Sequence, residues 1–269
     1  MFAAQAECLT WIFNACLTQG YHPKAWRAAA IAVVPKPDKE DYSLPKCYRL
    51  VALLECLGKL LEKVIAKRLS HDITSLSLIP TSQFGAHPHS STVDAGLCLT
   101  HDVETAHLLG SVCGMILFNI QGFFDNVNHK CLVGLVRSLG FLREICQWIS
   151  SFLQDRIVRL RFNNFTSEDI DLELGTPQGS PISPILSVIY ASPLLHKAKE
   201  WDSSTLLMFV DKGNIFACRP SYNILSMRLQ TFYTACHNWC RCAGLTIKPD
   251  KTKVLFFSRC HPNPDLHGM

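Results

Sequence analysis

GMILFNIQGFFDNVNH, residues 114–129, is the stretch whose reading decides the architecture. Its first seven residues form an almost continuous apolar run, as a strand buried on both faces requires. The turn-forming residues after it give way to a helix expected from His129 to Leu139. Working outward, LLMFV (206–210) and NIFAC (214–218) read as two further strands. They are joined tightly at Asp211-Lys212-Gly213-Asn214, so a hairpin with a polar tip is expected. A helix from Asn223 to Cys242, a turn at Gly244 and a closing strand KVLFFS (253–258) complete the C-terminal part.

Upstream, apolar residues at helical spacing between residues 4 and 18 predict a helix that stops at Gly20. Ile31 to Val34 predicts a strand broken by Pro35 and Pro37, running into an exposed basic loop. From Leu53 to Leu69 apolar residues recur at steps of three and four, with Lys59, Glu62, Lys63, Lys67 and Arg68 assigned to the polar side of an amphipathic helix. Further helices are expected over Ser91–Leu109 and residues 141–154, then strands in VRLRFNN (158–164) and DIDLEL (169–174). The turn-rich loop GTPQGSPISP (175–184) leads into a helix that starts near Ser183 or Pro184. Strands and helices in this order predict an α/β or α+β sheet with helices packed on one face.

Composition sets outer limits: 269 residues, 48% hydrophobic and 18% charged, describe a globular chain with one large core or two lobes. The formal charge of +4, from 26 basic and 22 acidic residues, tilts only slightly toward a polyanionic partner. Thirteen cysteines without repeated spacing, and no N-terminal secretory pattern, suit a reducing intracellular compartment rather than secretion. No apolar run approaches the ~20 residues of a membrane span, so no membrane partner is expected. Cys236, His237, Cys240 and Cys242 lack a paired zinc spacing and sit with Tyr233 and Trp239 in a helical pattern, so no structural zinc is expected.

Seven blocks in order carry a resemblance: AWRAAAIAVVPKPDKEDY, CYRLVALLECLGKLLEKVIAKRL, QFGAHPHSSTVDA, LFNIQGFFDNVNH, GTPQGSPISPILSVIY, FVDKGN and GLTIKPDKTKVLFFSR. Over roughly residues 20–259 the chain resembles the reverse transcriptases of non-LTR (LINE-type) retrotransposons. The resemblance implies the α+β right-hand polymerase fold. An N-terminal helix and fingers would occupy 1–110, an antiparallel palm 111–258 and a tail 259–269, with no thumb. It further implies a fragment of a longer polyprotein or the product of a decayed copy. The implied activity is addition of dNTPs to a DNA primer 3′ end on an RNA template, with two Mg²⁺ ions, and the implied location is nuclear.

That family holds its metals on three carboxylates, and here the set is incomplete. Asn119 stands where the first Asp is expected, Asp211 is kept, and Lys212 replaces the Asp that would follow it. The backbone carbonyl of Ile120 is the family's further metal ligand. A formal charge of −3 over the three side chains becomes zero, whereas Mg²⁺ requires anionic oxygens. Asp125, six residues after Asn119, reads better as a cap for the following helix than as a relocated ligand. Other positions match the family: Lys251 as general acid toward pyrophosphate, and Arg49, Phe124, Gln178 and Gly179 as nucleotide-binding residues. Phe124 reads equally as core, and Lys251 as a solvated lysine. Leu50 replaces the expected Pro, and His87 and Ser90 replace template-binding arginines. The expectation is therefore a reverse transcriptase domain with impaired catalysis, the alternatives being a binding remnant or a product without function.

Overall fold

The computed structural model describes residues 2–85, 90–162, 164–202 and 204–258, so His87 and the expected tail 259–269 lie outside the described residues. In chain order the elements are α1 (Phe2–Thr18), β1 (Ala28–Pro35), β2 (Tyr48–Leu53), α2 (Cys56–Ser75), α3 (Thr92–Leu108), β3 (Val112–Gln121), α4 (His129–Ser138) and α5 (Arg143–Leu153). They continue with β4 (Arg156–Phe162), β5 (Phe165–Thr166), β6 (Ile170–Leu172), α6 (Ser183–Ala198), β7 (Ser204–Phe209), β8 (Lys212–Arg219), α7 (Tyr222–Cys242), β9 (Thr246–Ile247) and β10 (Lys253–Phe257). Two compact units share them: Met1–Leu78 with Phe124–Tyr190, and Ile79–Phe123 with Ala191–Met269.

In the first unit β1 pairs antiparallel with β2 and parallel with β4, and β4 carries β5 and β6. In the sheet core Ala29, Ala52, Leu54 and Val158 pack together with Ile31 and Leu172. α5 buries most of its residues, Ile145, Cys146, Trp148, Ile149, Ser151, Phe152 and Leu153, and Trp148 stacks on Phe152 one turn away. The buried His22 ring meets both edge-on, at 5.1 and 5.3 Å between centroids. Two expectations are corrected here. Leu53 and Leu54 do not belong to the helix, because Leu53 ends β2 in register with Ala30. Glu62 is not on the polar face of α2: it is fully buried, and its carboxylate accepts a hydrogen bond from the Ser180 hydroxyl at 2.5 Å.

The second unit is built on an antiparallel sheet in the order β10-β3-β8-β7, with β9 beside the end of β3. β3 is buried along most of its length, as its apolar run demands. Alternate residues face opposite ways. Cys113 and Met115 pack with Ala106, Leu99 and Val103 of α3, whereas the Phe118 ring meets Tyr233 of α7. The α+β class therefore holds, with α3 adding a helix on the face opposite α7. The hairpin tip is shifted from its expected place: Phe209 pairs with Lys212, so the turn is Val210-Asp211. Cys236 and Cys240 point inward from α7, burial raising both thiols and pushing Cys240 up to about 12, while His237 and Cys242 are exposed.

Candidate active site

Asp211 owes its position to a strained turn. Val210 has φ +56°, a region that costs a β-branched residue about 1–2 kcal/mol. Gln83 holds it there. This buried side chain accepts hydrogen bonds from the backbone N–H of Gly85 and of Val210 through one oxygen, at 3.1 and 3.2 Å. Ser82 to Phe84 bind β7 through Met208, and a Cβ on Gly85 would come within 2.6 Å of Val210 Cγ2. Gln83 is thus a positioning residue whose only sequence signal is its membership of the QFGA block.

Asn119 and Lys212 are directly opposed in the β3–β8 register, so their side chains leave the same face of the sheet. Beyond β3 on its other side, Ile120 pairs with Ile247 of β9, and the N–H of Lys248 donates to the carbonyl of Asn119 at 2.8 Å. Continuing that register sets Lys248 opposite Asn119 as well. A row Lys212–Asn119–Lys248 therefore runs across β8, β3 and the residue that follows β9. Lys251 follows in a short 3-10 turn, Pro249–Lys251, whose last N–H donates to the Lys248 carbonyl at 3.2 Å. The sequence reading did not single out Lys248, because only strand pairing brings it beside Asn119.

The residues at this strand end do not fit a pair of Mg²⁺ ions. They offer one carboxylate, and Asn119 turns its Nδ2 toward Asp211 Oδ2 at 3.4 Å, occupying that oxygen as a hydrogen-bond acceptor. An ammonium ~4 Å from a unit positive charge opposes it by about 4 kcal/mol at an effective dielectric of 20, and an ion beside Asn119 would have a lysine strand on either side. Among the described residues no group of three or more His, Cys, Asp or Glu could hold a metal.

A second set of predicted residues gathers in the first unit. The N–H of Ala52 in β2 donates to the Gln178 carbonyl at 2.7 Å. Gly179 has φ +125°, and a Cβ there would lie 2.6 Å from the Ala52 carbonyl oxygen, so only glycine allows the approach. Gln178 donates through Nε2 to both oxygens of Asp125, at 2.9 and 3.2 Å. The cap of α4 is Asn128, which accepts from the N–H of Cys131, and this corrects the capping role expected of Asp125. Phe124 is half-buried, and its carbonyl accepts from the N–H of Thr176 at 2.7 Å. A cavity of about 280 Å³ opens here between Leu50, Ala52, Gln178 and the strands β1, β4 and β6. Arg49 is exposed on β2 and alternates away from the cavity-lining Leu50 and Ala52.

An antiparallel sheet with a strained two-residue hairpin beside its central strand, and a glycine loop leading into a helix, define the palm and fingers of a right-hand polymerase. Residues 34–262 match the family described as reverse transcriptase (RNA-dependent DNA polymerase), and the chain belongs to that family, on the non-LTR retrotransposon branch. It is 31% identical over 248 residues to the probable RNA-directed DNA polymerase from transposon BS of Drosophila melanogaster, covering 91% of this chain and 27% of that protein. It is 29% identical to the RNA-directed DNA polymerase from mobile element jockey of the same species, covering 97% and 29%. The chain thus spans little more than a quarter of the length of these relatives. In fold it is similar to an apo telomerase of Candida tropicalis truncated from its C-terminal domain, with TM-score 0.64 and 14% identity over 95% of this chain and 55% of that one.

Proposed function

We propose that this chain is a reverse transcriptase domain that has lost the metal-dependent step of adding dNTPs to a primer 3′ end, and retains a framework for gripping an RNA template and DNA primer. The observation that carries the reading is the opposition of Lys212 to Asn119 across β3 and β8, where the family's chemistry needs negative charge. Asp211 is the surviving member of the catalytic set, and the carbonyl of Ile120 its backbone companion. Lys251 stands where the family has its general acid. Arg49, Phe124, Gln178 and Gly179 form the nucleotide-binding set, supported by the hydrogen bonds that fix the Gln178–Gly179 loop against β2 and Asp125. Fingers 1–110 and palm 111–258 are the functional divisions of this reading, and a nuclear site follows from the family's habit of copying itself at chromosomal DNA. No described helix is long and apolar enough to cross a membrane.

Primer extension on an RNA template, in Mg²⁺ and separately in Mn²⁺, tests the reading. The natural chain should give no product above background, and Asn119→Asp with Lys212→Asp should restore extension. Robust extension by the natural chain that Asp211→Ala abolishes would overturn it.

A further inference from the structure

The misfit with Mg²⁺ has a positive counterpart. We infer that the end of β3 is a metal-independent site for a polyphosphate chain, in which lysine ammoniums replace the divalent cations. The register puts Lys212 and Lys248 on either side of Asn119, one strand spacing away each, on one face of the sheet. Lys212 is exposed, Lys248 half-buried, and among the described residues no salt bridge neutralises either. Lys251 adds a third ammonium from the turn tied to Lys248. Against these stand Asp211, half-buried and engaged by Asn119, and Asp250, exposed in the same turn as Lys251.

Two lysines thus flank one amide and a third follows three residues on, and long flexible stems allow their ammoniums to reach adjacent phosphoryl groups. Such charge-assisted contacts are the strong ones. A compact cluster of this kind matches the dense charge of a di- or triphosphate better than the spaced charges of a nucleic-acid backbone. The proposal rests on the reading of this strand end as the family's metal centre only for the contrast with Mg²⁺.

The probe is inorganic tripolyphosphate, titrated calorimetrically into the full chain in the presence of a chelator and again with Mg²⁺. Binding should occur in chelator and should not tighten with Mg²⁺, which competes for the same phosphates. Lys212→Ala and Lys248→Ala should each weaken it about tenfold, with Lys248→Arg largely restoring it. Protection of Lys212 and Lys248 of the natural chain from acetylation, read by mass spectrometry, tests the site without a substitution. Binding that requires Mg²⁺, no binding, protection confined to other lysines, or unchanged affinity in the double variant would each overturn the inference. Tripolyphosphate has neither base nor primer, so its failure leaves the template-primer reading standing, and that reading is tested separately with an annealed RNA–DNA duplex.

Discussion

At the scale of single residues, Gly213 shows how tightly this palm sheet is specified. A Cβ at Gly213 would fall 2.2 Å from the Phe118 ring, which lies across it from the opposing strand. Gly213→Ala should cost at least ~2 kcal/mol, read as a lowered urea midpoint. A midpoint within error of the natural chain would show that the ring is free to move. His22 makes a prediction of a different kind. Burial among aromatic rings, aided by the charges of Arg156 and Arg27, lowers its pKa from the ordinary 6.5 to about 3. The neutral ring therefore contributes its full stability above pH 6.5, and the unfolded chain takes up a proton the folded one refuses as the pH falls toward 3. Stability should drop over that window by up to ~1.4 kcal/mol per pH unit, and His22→Phe should remove that component of the slope. An identical pH profile in the variant would refute the assignment.

Between elements, the loop before α6 is tied to α2 by a buried polar group that the pattern of residues placed outside. Helical spacing counts Glu62 among Lys59, Lys63 and Lys67, and its partner Ser180 lies 118 residues away. No local signal marks such a pairing. Burial raises the Glu62 carboxyl, and the buried Arg156 guanidinium counters that while itself falling to about 10 through burial. Each charge partly justifies the other. Glu62→Gln and Arg156→Met should each cost about 1–3 kcal/mol through the buried hydrogen-bond partners they leave behind, Ser180 and the Phe152 carbonyl, and the pair together less than their sum, measured as a double-mutant cycle; strict additivity would show that the two charges are independent. The same limit explains the other departures. The helix expected from Leu53 overruns the last residue of β2 because Leu53 and Leu54 fit both patterns, and the hairpin tip is displaced because Val210 is a residue that turns disfavour. The apolar run of β3, the helix frames and the glycine loop were legible because their causes are local.

For the whole molecule, family and fold followed from blocks in order, whereas the charge of the centre depended on strand pairing. Asn119 and Lys212 are visible in the sequence, yet Lys248 joins them only once β9 is laid beside β3. Each compact unit is also assembled from separated stretches of chain, and this has a consequence for synthesis on the ribosome. β3 is complete at Gln121, but its partners β8 and β10 begin only at Lys212 and Lys253. At a translation rate of about 5–20 residues per second, the apolar strand waits for roughly 5–20 s before its first neighbour is made. During that interval its most hydrophobic segment is open to chaperones and to other nascent chains, so the yield of folded protein is decided in competition with aggregation before the palm sheet exists.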